Sequence, residues 1–316
     1  MARNERQKMM VSFAEQLRER IAGKVDPAAP RTYGFEYEFL AAEPPTEDCV
    51  RKMHGCLAEL GFRHNDQCLE NSRGLRVTFE PGGQIEYHSM PLLPDADAEF
   101  DATLREIDNA NDAIRWECGV NYQAVPYMPG RGAAPLCLTS DRYLNLHKRL
   151  EASGRRGLEM MKGTASIHLH ARILTLREMP ALFALMFDLA ENPTFRMGPD
   201  RRDIWNNTDP SRCGMPYLRP GADTPAEDLV RDIVRVGLDA VALGVEIPYW
   251  QTTDPDFASF LYHLTTLFTD VRLNMSAPTL ELRTLDAMPG HRFRERWRKF
   301  VNAVEAMEVV GHEQRR

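Results

Sequence analysis

The chain has 316 residues, 43% of them hydrophobic and 27% charged, with a formal net charge of -7 and a mean hydropathy of -0.43. These values describe a globular chain long enough for a large core, and they exclude a disordered or membrane-spanning one. The negative balance argues against a general nucleic-acid binder, and six cysteines without a CxxC pair predict reduced thiols in a cytoplasm rather than a zinc ribbon.

The first twenty residues, MARNERQKMMVSFAEQLRER, are charged and interrupted, which predicts an exposed helix and neither a secretion signal nor a membrane span. Glu5, Glu15 and Glu19 do not suit an import presequence. After a break at Pro27 to Pro30, YGFEYEF predicts a strand whose core face is Tyr33, Phe35, Tyr37 and Phe39. Its other face carries Gly34, Glu36 and Glu38, and two acids at i and i+2 crowd like charges that either solvent or a cation must relieve.

Thr46 to Leu60 predicts an amphipathic helix ending at Gly61. A hairpin follows: a strand from Leu75 to Glu80, a turn at Pro81-Gly82-Gly83, and a second strand from Gln84 to Ser89. Gln84, Glu86 and His88 share one face, Ile85 and Tyr87 the other. Glu80 and Glu86 therefore meet across the turn, as an exposed pair or as two carboxylates stabilised by a divalent cation or a buried base. Asp95 to Trp116 predicts a longer helix, Val120 to Val125 a strand, Pro126 to Pro135 a loop and Asp141 to Leu150 a short helix.

Met161 to Ala171, MKGTASIHLHA, alternates as a strand, with Thr164, Ser166, His168 and His170 on one face and Ala165, Ile167 and Leu169 on the other. Two histidines beside a serine and a threonine suit contacts to metal or phosphate. Thr175 to Glu191 predicts a helix with Met179, Leu182, Phe183, Met186 and Leu189 inward. Asn192 to Gly214 reads as an irregular basic segment whose Arg196, Arg201, Arg202 and Arg212 form either a solvated surface or a clamp for carboxylate or phosphate. Ala226 to Leu243 and Pro255 to Phe268 predict helices. Val271 to Thr284 predicts two strand runs split by Pro278, with Glu281 beside a strand arginine as a further acid ligand. A basic amphipathic helix from His291 to Val310 turns Phe293, Trp297 and Phe300 inward.

In order, GFEYEF, EPGGQIEY, MKGTASIHLH, RRDIWNNTDPSRCG and VRLNMSAPTLELRTLDAMP resemble the glutamate-cysteine ligase family in its plant-like and bacterial second type, from Gly34 to Pro289. The EPGGQIE hairpin is the most characteristic segment. The resemblance implies an α+β fold: a curved antiparallel sheet forming a half-barrel funnel backed by helices, similar to the glutamine synthetase catalytic domain. It implies one catalytic domain with a helical extension over 1–30 and a C-terminal helix over 291–316. ATP, two or three Mg2+ ions and an amino-acid substrate would sit at the funnel mouth.

By the same resemblance, Glu36, Glu38, Glu80, Glu86, Glu281 and His168 would hold the metals. Lys162, Thr164, Ser166, His170, Arg202 and Arg283 would face the nucleotide, and Arg283 and Arg212 would act in catalysis, Arg212 on substrate carboxylate or phosphate. The implied reaction is ATP-dependent: a substrate carboxylate takes the γ-phosphoryl group to give an acyl phosphate, and an amine displaces phosphate. Glutamate and cysteine are the implied substrates. The same ligation on another amine, and a non-catalytic relative that binds nucleotide or metal, remain as alternatives. The implied protein is a cytoplasmic monomer or homodimer with small-molecule partners, and binds neither nucleic acid nor membrane.

Overall fold

A computed structural model describes residues 2–66, 68–221 and 223–313. The chain opens with helix α1 (Ala2–Ala22), and beyond the proline break the aromatic and acidic alternation forms β1 (Tyr33–Ala41). Thr46 caps α2 (Glu47–Glu59), its hydroxyl accepting from the Cys49 amide at 3.2 Å. Short strands β2 (Arg63–Asn65), β3 (Cys68–Glu70), β4 (Arg76–Phe79) and β5 (Ile85–His88) follow as an antiparallel meander. Next come α3 (Asp97–Cys118), β6 (Tyr122–Gln123), α4 (Asp141–Ser153), α5 (Gly157–Gly163) and β7 (Ser166–Arg172). The last third comprises α6 (Met179–Glu191), α7 (Pro199–Asn206), β8 (Cys213–Gly214), α8 (Ala226–Asp239), α9 (Phe257–Leu264), β9 (Phe268–Thr269), β10 (Val271–Leu273), β11 (Thr279–Asp286) and α10 (Gly290–Glu313).

The main sheet runs β10-β11-β7-β1-β5-β4-β3-β2, with β6 pairing the end of β1, and every pairing in it is antiparallel. It is open, with β10 and β2 as its edges. The class expected from the sequence, helices packed on an antiparallel sheet, is the one the chain adopts. Among the described residues no helix is long and apolar enough to cross a membrane.

Period-two alternation on the central strands sorts the two faces of the sheet. On one face Tyr33, Phe35, Tyr37 and Phe39 of β1 are buried with Ile85, Tyr87, Ile167, Leu169, Leu280 and Leu282. Helices α3 and α10 cover this face: the Phe35 ring meets Phe293 at 5.1 Å and Phe100 at 5.5 Å, edge to face, and Phe100 stacks on Trp297 at 5.0 Å. Phe293, Trp297 and Phe300 point inward as expected. Helix α1 packs on α8, pairs Arg6 with Asp239, and donates from Arg20 to the Met275 carbonyl.

The β4–β5 turn is built for close approach. Gly83 has φ +82°, and a Cβ on Gly82 would lie 2.5 Å from the Lys162 Cα and 2.8 Å from the Lys162 carbonyl oxygen. The Gln84 amide spans the same junction, donating to the Met161 and Thr164 carbonyls at 3.2 Å each. The hairpin is thereby fixed against the entry to β7.

Several elements differ from the sequence-based expectation. The strand predicted from Met161 begins at Ser166, because residues 157–163 form α5, whose Met160 and Met161 pack with Leu146, Leu150 and Ile204 in a second apolar cluster. The segment read as irregular contains α7, which Gly198 and Pro199 start in the manner of an N-cap and first-turn proline. Helix α6 begins at Met179, since the Glu178 carboxylate accepts from the Leu174 and Thr175 amides and holds that stretch as a turn. The helix predicted to reach Phe268 ends at Leu264, and Phe268 pairs instead in a short parallel ladder with Cys213.

Candidate active site

The polar face of the same strands is the unusual surface. β1 presents Glu36 and Glu38, β5 Glu86 and His88, β7 Ser166, His168 and His170, β11 Glu281 and Arg283, and β10 Arg272. Register brings them together: Glu36 lies opposite both His88 and His168, Glu38 opposite Glu86, and Glu281 opposite both His170 and Arg272. Strands under 5 Å apart place such side chains in contact.

Glu36 is the hub. Its carboxylate is 2.5 Å from His168 Nδ1, 3.4 Å from His170 Nε2, 3.5 Å from His88 Nδ1 and 3.9 Å from the Arg283 guanidinium. Glu38 accepts from the Ser166 amide at 2.7 Å and its hydroxyl at 3.0 Å, and that hydroxyl lies 2.8 Å from His168 Nε2. Glu86 accepts from the Thr78 hydroxyl at 3.1 Å and lies 3.3 Å from His88 Nε2. Glu281 accepts from Arg272 and Asn274 at 2.8 Å and from Arg283 at 3.0 Å.

The acids divide into two electrostatic kinds. Burial pushes the Glu36 carboxyl upward, but His170, His168 and His88 outweigh it and hold it well below the ordinary range. In Glu86 burial is likewise outweighed, chiefly by His88, and in Glu281 chiefly by Arg272, which helps hold that carboxyl at about 2. Burial raises Glu38 despite His168. Glu80 is raised well above the ordinary value by burial and then by the charges of Glu86 and Glu38.

Among the described residues, three groups of side chains have ligand atoms within 4.8 Å of one another: Glu36, His170 and Glu281; Glu36, Glu86 and His88; and Glu38, Glu86 and His168. The Nε2 atom of His170 is buried and makes no well-aligned hydrogen bond, its nearest charged neighbour being the Glu36 carboxylate at 3.4 Å, so a ligand shared with that carboxylate would satisfy it. Carboxylates converging from neighbouring strands with an open imidazole nitrogen fit a divalent cation.

Beside these groups lies a cavity of about 300 Å³. Glu36, Glu38, Glu80, Glu86, His88, His168, Arg272 and Arg283 form its charged side. The opposite side comes from helices: Arg142, Tyr143, Leu146 and Leu150 of α4, Met160 and Met161 of α5, and Trp205 of α7. Thr164 and Ser166 also line it, although the Thr164 hydroxyl donates to the Met160 carbonyl at 2.7 Å. His170 and Glu281 stand on the same face next to Glu36 and Arg283 without lining the cavity.

Three expected residues are elsewhere. Lys162 lies in the last turn of α5, buried, with its ammonium donating to the Ala134 carbonyl; the early helix turns it off the sheet face. Arg212 is fully buried, bonds to Thr266 and to the Val241 carbonyl, and lies 3.2 Å from Asp209, so its guanidinium is committed to the fold. Arg202 pairs with Asp270 at 2.8 Å and lines a separate surface hollow with Arg196. Glu80 reaches the cavity but belongs to none of the three ligand groups.

Sequence reasoning missed Arg142, Tyr143, Trp205, Arg272 and the participation of His88. His88 was visible, two residues beyond Glu86 on one strand face. Arg272 was visible only through pairing with Glu281, and the α4 and α7 residues carried no local signal because tertiary packing alone brings those helices over the sheet.

Comparison with known proteins places the chain. It is 29% identical over 250 residues to the glutamate–cysteine ligase EgtA of Mycolicibacterium smegmatis (strain ATCC 700084 / mc(2)155), an alignment covering 68% of this chain and 56% of that protein. The chain thus spans about half the length of that relative. A solved complex between the prokaryotic ubiquitin-like protein Pup and its ligase PafA matches 88% of this chain and 64% of that chain at 13% identity, with a TM-score of 0.26. The model of glutamate-cysteine ligase family 2 matches residues 32–295, a range that takes in every strand from β1 to β11, and the chain belongs to that family.

Proposed function

We propose that the protein is an ATP-dependent carboxylate–amine ligase that joins glutamate to cysteine as γ-glutamylcysteine. The observation that carries this reading is the Glu36-centred polar face, where three groups of side chains among the described residues have the spacing to hold a divalent cation beside one cavity. Family membership supports the reaction class.

Glu36, Glu38, Glu86 and Glu281, with His88, His168 and His170, are the residues that would hold Mg2+. Bound there, Mg2+ would neutralise charge on the nucleotide phosphates as the γ-phosphoryl group is transferred. The low-titrating carboxyls of Glu36, Glu86 and Glu281 are ionised at neutral pH and so arrive at the site as ligands without first losing a proton. Arg283 and Arg272, oriented by their shared contact with Glu281, bring positive charge to the cavity wall, where it would stabilise charge developing on a transferring phosphoryl group. Leu146, Leu150, Met160, Met161 and Trp205 close the other side and limit access of water to an acyl phosphate.

The test is phosphate release from magnesium-ATP with glutamate and a panel of amines, with products weighed by mass spectrometry and Glu86→Gln as the control. The expected result is a product of γ-glutamylcysteine mass that requires both amino acids and is absent from the control. Turnover with a different pair only would keep the ligase chemistry and change the substrate. Absence of turnover with every pair, together with no magnesium-dependent ATP binding, would refute the enzyme reading and leave a nucleotide- or metal-site relative without activity.

A further inference from the structure

On the outer side of α7, away from the cavity, an open hollow of about 650 Å³ lies between the end of α6, the start of α7 and the residue that precedes β10. Four charged side chains line it: Glu191, Arg196, Arg202 and Asp270. One ion pair joins them, Arg202 Nη2 to Asp270 Oδ2 at 2.8 Å. The Arg196 guanidinium and the Glu191 carboxylate are exposed and have no hydrogen-bond or ion-pair partner among the described residues. Asp270 is 4% exposed, and its other oxygen, Oδ1, is buried without a partner. A buried carboxylate oxygen left unpaired is costly, so a donor to this atom would be favourable. Between the charges the wall is apolar, formed by Met197 and Met215.

Guanidinium N–H groups, an unsatisfied carboxylate oxygen and a thioether wall in one hollow complement a small molecule that is charged at one end and apolar at the other. We infer that the hollow is a second small-molecule site, which takes an α-amino acid with an apolar side chain. Its carboxylate rests on Arg196 and the unengaged N–H groups of Arg202, its ammonium on Asp270 Oδ1, and its side chain on Met197 and Met215. The occupant is an effector and not a substrate, since protein separates it from the reacting face. Thr269 and Arg272 line the cavity, while Asp270 between them lines the hollow. Helix α7 likewise turns Trp205 to the cavity and Arg202 to the hollow. The Asp270 carbonyl accepts from the Arg283 amide at 2.9 Å, so a ligand that pulls on Asp270 acts on the backbone that carries Arg272 and Arg283.

Binding in the hollow does not depend on the ligase reading, and its test separates the two. The full chain is titrated calorimetrically with L-leucine, with 3-methylbutylamine, which lacks the carboxylate, and with 4-methylpentanoate, which lacks the ammonium. The wild type is expected to prefer L-leucine to either fragment. Arg196→Ala, a change at an exposed side chain, is expected to weaken L-leucine about 10-fold, the loss of one charge-assisted contact, and to leave 3-methylbutylamine unchanged. Glu86→Gln, a change in the cavity, is expected to bind L-leucine as the wild type does. No binding of L-leucine, equal affinity for all three compounds, or a loss in Glu86→Gln instead of Arg196→Ala would overturn the inference.

Steady-state rates then read the effector role. Without L-leucine, Arg196→Ala is expected to keep the wild-type KM for glutamate, cysteine and ATP; a raised KM would make the hollow part of the substrate site and overturn the inference while leaving the ligase reading intact. Saturating L-leucine is expected to shift KM for magnesium-ATP about 5-fold in the wild type and not in Arg196→Ala, and binding without that shift would overturn the effector role. If no substrate pair turns over, the ligase reading fails and the titration alone decides whether the hollow is a site.

Discussion

Glu281 offers a direct measure of how strongly the polar face is coupled to folding. Its side chain is 1% exposed and receives hydrogen bonds from Arg272, Asn274 and Arg283. Its carboxyl, ordinarily at 4.5, is held at about 2 in the folded protein, and at 1.36 kcal/mol per unit this depression contributes about 3 kcal/mol to stability. Because the folded value is the lower one, the contribution is complete above 4.5 and disappears as pH falls toward 2. Glu281→Gln should remove it, and the two guanidiniums left without their shared anion give a similar cost of about 3–5 kcal/mol. Urea melts of chelator-treated wild type and variant, at neutral pH and then stepped from 4.5 down toward 2, should show a gap of that size that closes with acid. A gap below about 1 kcal/mol at neutral pH, the worth of an exposed pair, or one that does not change with acid, would refute the reasoning.

Two further substitutions probe the frame of the site. Gly82→Ala forces a methyl group against the Lys162 backbone at 2.5 Å and 2.8 Å, so the turn must shift; a loss of about 1–3 kcal/mol should appear as a lowered melting temperature, and an unchanged melt would show that the turn has room. Arg212→Met leaves Asp209 and the Thr266 and Val241 carbonyls with a missing partner and should cost about 3–5 kcal/mol. By contrast Arg202→Ala, at a pair whose arginine side chain is 32% exposed, should cost about 1 kcal/mol or less. A raised substrate KM in Arg212→Met at temperatures where it stays folded would restore that residue to the binding machinery.

The strand faces were legible because the period of two is written in the chain: YGFEYEF and ASIHLHA each separate an apolar from a polar set without reference to any neighbour. The hairpin glycines likewise announced a tight turn. What the sequence does not carry is register. That Glu36 meets His88 on one side and His168 on the other depends on pairings between residues more than fifty positions apart in one case and more than a hundred in the other. The basic segment misled for the same reason. Arg201, Arg202 and Arg212 look equivalent in a string, yet burial ties Arg201 to Asp286, exposes part of Arg202 and seals Arg212 inside. The short helix over residues 157–163 was hidden because a pair of methionines before a glycine fits a strand or a helix, and only their packing on Leu146 and Leu150 decides.

The two-sided character of β1 has a consequence for how such a protein can change. The residues that build the core and those that face the cavity alternate along one backbone and project in opposite directions. Exchange of Glu38, His168 or His170 for another polar side chain therefore alters the chemistry of the polar face without displacing an atom of the aromatic layer formed by Phe35, Phe100, Phe293 and Trp297. The fold can thus keep its stability while its ligand preference drifts, provided the alternation itself is left intact; a one-residue insertion in the strand would exchange the two faces and cost both at once.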